Sequence, residues 1–406
     1  MGEEAAAEPL PAGVRAPRSV PPGTSAEPDV DPPVAQDRPR ALVAIFTFSF
    51  ALGIGGLALP LVALAAGYDA VVVGLLTATS AISQFLFRLG LPQLLGKVPD
   101  RVLITLSCIT IAASYGILMI STLLPVFVVA QLMQGAARAL FWTASQTHAA
   151  RSGGRTVRLL AEVGLVGGIG QLCGPLVTGF IAAISLQLAL GTGVAVGVIG
   201  ALFAATLSRL EPYARGRHAG DRRRLWLSPG IDAACWSAFV GGGWRALMSS
   251  YVPVTLTAAG LAPGLIGTLM ACGELSSTFA IALLVRLPSR RALASLDAAV
   301  LAACVGLAIV PLVASQPILV ALALAASGAG AGPITALSAA VARQFVQPEH
   351  EGDAIALVGT FRAGALLVAP AAVAVVLGSV AVGPALAGAG LLMGVPSLVS
   401  RAARRA

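Results

Sequence analysis

The sequence predicts an all-α polytopic membrane protein, with twelve transmembrane helices in two six-helix bundles and both termini cytoplasmic. Three observations carry this. The 406 residues are 57% hydrophobic and 11% charged, with a mean hydropathy of +0.88, which excludes an ordinary soluble domain. From Ala41 onward, apolar runs long enough to cross about 30 Å of hydrocarbon at about 1.5 Å per residue follow one another closely. Lys and Arg fall in every second connection between those runs.

In chain order, residues 1–40 are rich in Pro, Ala, Gly and Glu with few large apolar side chains. Such a segment cannot offset its ordering entropy by burial, so a disordered cytoplasmic tail is expected. It is not read as a signal peptide, because the apolar stretch begins only after forty residues and is too long for one. Spans are then expected at about 41–66, 70–91, 102–120, 124–147, 157–183, 187–208, 230–258, 263–286, 292–314, 317–342, 354–378 and 381–400. Residues 41–208 make the N-terminal six-helix bundle, 209–229 a basic cytoplasmic linker and 230–400 the C-terminal bundle, with 401–406 a cytoplasmic tail.

Orientation follows from the basic residues. One set of connections carries Arg38 and Arg40, Lys97 and Arg101, Arg151, Arg155 and Arg158, the linker, Arg286, Arg290 and Arg291, Arg343, and the C-terminal arginines. The alternate set, around Asp69, Leu123, Ser185, Gly260, Gln316 and Gly378, has no Lys or Arg. The net charge of +8 therefore reflects orientation in the bilayer. The linker segment RGRHAGDRRR is read as hugging the membrane surface, and no nucleic-acid partner is expected. Cys108, Cys173, Cys235, Cys272 and Cys304 lie in apolar runs without CxxC spacing, so neither disulfides nor a metal site is indicated, and no cofactor is expected.

An internal repeat supports the division into halves. Pro60, Gly67 and Gly74 recur as Pro253, Gly260 and Gly267, Leu76 and Ala78 as Leu269 and Ala271, and Gly135 as Gly328, all at an offset of 193. Gly164 and Pro175 recur as Gly359 and Pro370 at an offset of 195. The halves are thus homologous and parallel in order.

The fifth run, GLVGGIGQLCGPLVTGF from Gly164 to Phe180, holds glycines that each cost about 1 kcal/mol against Ala within a helix. Their place is explained by close approach of a neighbouring backbone, since packing holds helices together in lipid. A generic small-residue packing face is the plainer alternative for the stretch. Gly170, Gly174, Pro175 and Gly179 also resemble the antiporter motif in the fifth helix of the major facilitator superfamily, with Thr178 where a further glycine is expected. In the loop after the second run, Gly96, Lys97, Asp100 and Arg101 are similar to that family's glycine, Asp-Arg pair and basic residues, with shifted spacing. PSRR at 288–291 is a related segment. In the fourth run Gln134 and Gly135 keep the family's Gln-Gly pair, while Gln131 stands at its arginine and Arg138 lies a turn later. The resemblance implies the major facilitator fold, with spans one, four, seven and ten around a central cavity.

Ionisable residues inside a membrane are costly and mark function. Arg138, Arg245 and Glu274 lie near mid-span, and Arg362 about a third of the way into its span. A carboxylate at the depth of Glu274 binds a proton unless a cation stands beside it, and Arg245 is the expected neighbour. Two readings follow, a permanent pair locking two helices or a protonatable coupling site. Glu162 and Asp232 lie nearer span ends, where solvent or Arg155, Arg158 and the linker can satisfy them; Glu162 is the second coupling candidate. The implied cavity wall consists of Gln134, Arg138, Phe141, Trp142, Trp244, Arg245 and Tyr251, while Phe46, Phe48 and Phe50 could instead face lipid.

The function expected is proton-coupled efflux of a small amphiphilic molecule by alternating access, in a monomer set in a plasma membrane of the bacterial inner-membrane type. Its partners are cargo, protons and the lipid bilayer. The excess of arginine favours a second reading, uptake or exchange of an organic anion. A membrane receptor or membrane enzyme is a third. An enzyme is disfavoured, because no phosphate loop, HExxH helix or Ser-His-Asp set is present and His148, His218 and His350 lie at span edges.

Overall fold

A computed structural model describes residues 37–151, 156–210, 212, 230–284, 292–347 and 350–405. Most of the expected N-terminal tail, most of the basic linker and the PSRR segment lie outside them. Thirteen α-helices and no strands are found among the described residues. The N-terminal half comprises α1 (Asp37–Ala65), α2 (Ala70–Leu95), α3 (Asp100–Ile120), α4 (Leu124–Arg151), α5 (Thr156–Ala182) and α6 (Leu186–Ala205). The C-terminal half comprises α7 (Ile231–Met248), α8 (Tyr251–Ala258), α9 (Pro263–Leu284), α10 (Ala292–Ile309, continued by a 3-10 turn to Val313), α11 (Pro317–Gln344), α12 (Glu351–Val376) and α13 (Val382–Arg405).

Ten of these helices are long and apolar enough to cross a membrane. The other two expected spans differ in form. The seventh breaks at Ser249 and Ser250, where both hydroxyls bond back to the Ala246 carbonyl and compete with the backbone ladder. In the last, the apolar part runs from Val382 to Ser397. The chain is also helical from Asp37, four residues before the first expected span. Asp37 adds a carboxylate to the first turn and accepts a hydrogen bond from the Ser208 amide.

The connections fall at two opposite ends. At one, Arg38 pairs with Glu162 (Nε to Oε2 3.0 Å), and Arg40 and Arg101 bond the carbonyls of Thr206 and Leu207. At the other, the Tyr68 hydroxyl bonds the Thr122 carbonyl. Asp69 and Ser185 cap α2 and α6 there by accepting from the amides of Val72 and Leu188. Gly67 and Gly260 explain part of the sequence repeat, for both leave a helix at positive φ, +87° and +81°, a conformation that a Cβ disfavours. Reporter fusions after Arg209 and near Ser185 are expected to land on opposite membrane sides; the same side for both would overturn this alternation.

The repeat reappears as contacts. The Ser83 hydroxyl on α2 bonds the Leu132 carbonyl on α4 at 2.8 Å, and at the same offset of 193 the Ser276 hydroxyl on α9 bonds the Ala325 carbonyl on α11 at 2.6 Å. Gly135 abuts the Ser80 carbonyl, and its counterpart Gly328 abuts the Gly273 carbonyl. A side chain at either glycine would push these helices apart.

Between the halves, α5 packs on α9 and α2 on α12. Gly267 meets the Pro175 carbonyl and Gly179, while the Tyr251 hydroxyl, lodged against Gly74, bonds the Pro370 carbonyl at 3.2 Å. The two seams are thus built from equivalent repeat positions, and these contacts lie toward the end carrying Gly67 and Gly260. There the cores interlock, with Leu57 and Leu61 entering the C-terminal core and Val254 the N-terminal one.

Candidate functional site: the central cavity

A cavity of about 360 Å³ lies between the halves and draws its walls from both. At the end carrying Gly67 its lining residues Leu59, Ala63, Val73 and Phe127 are buried. Toward the basic end it is lined by Gln146 and Gly164, which are exposed, so the cavity reaches solvent there.

Four arginines line it, Arg88 on α2, Arg138 on α4, Arg245 on α7 and Arg362 on α12, with Glu274 on α9 the acid among the described lining residues. Arg245 and Glu274 form an ion pair, and Glu274 is 5% exposed. Behind Arg245 lies Trp244, whose ring centroid is 4.9 Å from the guanidinium carbon, a cation–π contact. The indole N–H of Trp244 bonds Ser327 at 2.7 Å, and Ser327 in turn bonds the Ala303 carbonyl, so the ring is fixed from behind. The Arg245 head is therefore held from both sides.

Among the described residues no carboxylate pairs with Arg88, Arg138 or Arg362. A guanidinium buried in dry protein is very costly, so these heads require either cavity water or an anionic guest. The repeat supplies the shape of the cavity, and departures from it supply the charge. The counterparts of Arg88, Arg245 and Glu274 at the offset of 193 are Ile281, Leu52 and Ala81, and that of Arg362 at 195 is Gly167. All four also line the cavity and none is charged.

Gln134, Arg138, Trp142 and Arg245 all line the cavity. Gln134 also donates to the Ser114 hydroxyl at 3.2 Å, which turns its amide toward α3. The other three proposed wall residues lie elsewhere. Phe141 is fully buried and stacks on Phe48, centroids 3.7 Å apart, inside the N-terminal core. Trp244 stands behind Arg245, and Tyr251 is spent on the seam between the halves. Glu162 is paired with Arg38 at the basic end and is not among the lining residues.

In the glycine stretch of α5, Gly170 and Gly174 face α1. A Cβ on Gly170 would come within 2.6 Å of the Phe46 carbonyl oxygen, and one on Gly53 within 2.9 Å of the Gly174 Cα. Gly179 faces the other half, where a Cβ would come within 2.6 Å of the Pro263 carbonyl oxygen. In the loop motif, Gly96 caps α2, Lys97 is exposed, Asp100 is buried in the first turn of α3 and Arg101 holds the end of α6.

The sequence inventory omits Arg88, Gln84, Gln146 and Gln171, all of which line the cavity. For Arg88 the available signal was its position inside the expected 70–91 span. The glutamines carried no such signal, because a neutral amide does not interrupt an apolar run sharply.

A comparison with curated proteins finds no match. Among solved structures, a single-substitution mutant of the nucleoside transporter NupG superimposes with a TM-score of 0.74 at 14% identity, covering 90% of this chain and 98% of that one. NupG itself gives 0.71 at the same identity and coverage. The human organic anion transporter MFSD10 (TETRAN) gives 0.58 at 16% identity, covering 91% and 100%. These likenesses concern the fold. Residues 41–370 match the family profile described as Major Facilitator Superfamily. With a profile match over most of its length, and the two-bundle fold around a central cavity, the chain belongs to the Major Facilitator Superfamily of multi-pass membrane transporters.

Proposed function

We propose that this secondary transporter moves a small organic anion by alternating access, with Glu274 as the group that couples cargo to protons. The observation that carries the reading is the charge of the cavity, four arginines against one glutamate. A carboxylate or phosphate entering it would form charge-assisted bonds in a site partly shielded from water, where such bonds are strong. Positive charge on alternate connections favours a cytoplasmic basic end, so the described conformation is one open toward the cytoplasm.

The test is counterflow in proteoliposomes with a panel of size-matched anionic, zwitterionic and neutral compounds. Anions should exchange and their neutral amides should not. Arg138→Gln should weaken anion binding by roughly tenfold or more, since a hydrogen bond to a charged group is worth about 1.5–3 kcal/mol. Equal loss for neutral and anionic compounds would assign Arg138 a structural role.

A second reading, proton-driven export of an amphiphilic compound, is favoured by the apolar share of the wall, including Leu52, Leu59, Phe127, Met248 and the ring of Trp142. Preference for neutral aromatic compounds in the same panel would select it.

A further inference from the structure

We propose that Arg88 and Arg362 form a second anion subsite, one residue from each half, and that the cargo is a dianion with two separated acidic groups. This rests on the anion reading and sharpens it. With Glu274 neutralising Arg245, three positive heads remain in the cavity, on Arg88, Arg138 and Arg362. A monoanion leaves most of that charge uncompensated.

The arrangement of those heads divides them. Arg138 sits near mid-span on α4. Arg362 lies three residues beyond Gly359 on α12 and lines the same cavity as Arg245 and Arg88. Arg88 is tied to α12 by one bond, its Nη1 donating to the Gly359 carbonyl at 3.3 Å. Its buried Nε has no hydrogen-bond partner, and neither has Oε1 of the buried Gln84. Gln84 and Arg88, four residues apart on α2, share a helix face, and both line the cavity. Unsatisfied buried polar atoms are rare and costly; the Arg88 Nε–H is a donor that an anion in the cavity would satisfy, whereas Gln84 Oε1 is an acceptor and calls for a donor such as water.

The Arg88 and Arg362 guanidiniums line one cavity beside the α2–α12 seam, no carboxylate among the described residues pairs with either, and like charges repel. An anionic group placed between them replaces repulsion with two attractions and joins the halves. The second acidic group of the cargo would thus favour closure of the basic end, through differential affinity for the closed state. The first acidic group rests at Arg138, near mid-span on α4.

The experiment measures thermal stabilisation of the purified full-length protein by two probe series. One is the α,ω-dicarboxylates from three to six carbons with their monoamides. The other is phosphorylated sugar acids, which carry a carboxylate and a phosphate apart, with the parent sugar acids of single charge. At least one dianion is expected to bind tenfold or more tightly than its monoanionic analogue. Arg362→Gln and Arg88→Gln should each bring that ratio close to one. Arg362→Lys, which keeps the charge, should retain part of the preference, which separates a lost contact from a misfolded protein.

Monoanions that bind as well as dianions overturn the second subsite and leave the anion reading standing. A dianion preference that survives both Gln variants moves the second acidic group away from Arg88 and Arg362, and this subsite fails. No stabilisation by any anion in either series overturns both readings.

Discussion

Gly179→Leu is expected to abolish transport while the protein still inserts and each half still folds. At this position α5 crosses α9 with no room for a side chain, because a Cβ would come within 2.6 Å of the Pro263 carbonyl oxygen and 3.0 Å of the Gly267 Cα. Both are backbone atoms, so relief requires moving a helix. Overpacking costs about 1–3 kcal/mol, and at the upper end that shifts an equilibrium roughly a hundredfold. The equilibrium affected is closure of the end carrying Gly67, since this contact joins the two halves. Gly174→Leu serves as contrast. Its steric conflict is with Gly53 inside the N-terminal half, so it should lower the yield of folded, monodisperse protein as well as transport. Normal turnover by the Gly179→Leu protein in proteoliposomes would remove the seam from the transport cycle.

Glu274→Gln is expected to eliminate proton-driven accumulation of cargo while leaving binding and energy-independent exchange. Glutamine imitates the protonated acid in size and neutrality, and it frees Arg245 from its ion pair. If the pair opens on protonation, Arg245 becomes available to cargo, and proton and cargo are linked through one guanidinium. The fixed ring of Trp244 keeps that guanidinium in place when its carboxylate is neutral. Uptake with and without an imposed pH gradient, alongside counterflow, reads the two activities separately. Wild-type accumulation by Glu274→Gln would mean that the proton travels elsewhere, with Glu162 the next residue to test. Loss of counterflow together with accumulation would instead favour the reading of the pair as a permanent lock between α7 and α9.

Hydropathy placed most helices within a few residues, because crossing hydrocarbon demands uninterrupted apolar length and an internally bonded backbone. The missed starts and breaks have local causes. Asp37 opens α1 early by bonding Ser208, and Ser249 and Ser250 divide the seventh span through their hydroxyls. The repeat was legible because close backbone contact admits few residues. Gly135 and Gly328, or Gly67 and Gly260, cannot be exchanged for larger side chains without steric conflict or a strained φ.

What the sequence determined by itself was therefore the position of most apolar runs, the pairing of the halves, and the presence of charge at membrane depth. Which side chains meet was decided only by tertiary structure. In water a helix announces its inner face by a stripe of apolar residues, whereas in lipid both faces are apolar, so rotation about the axis leaves little trace in the sequence. Phe141 and Trp142 are neighbours on α4, yet one stacks in the core and the other lines the cavity. Trp244 and Arg245 divide in the same way, and Arg88 and Arg362, far apart in sequence, line the same cavity, with Arg88 bonding the Gly359 carbonyl of α12.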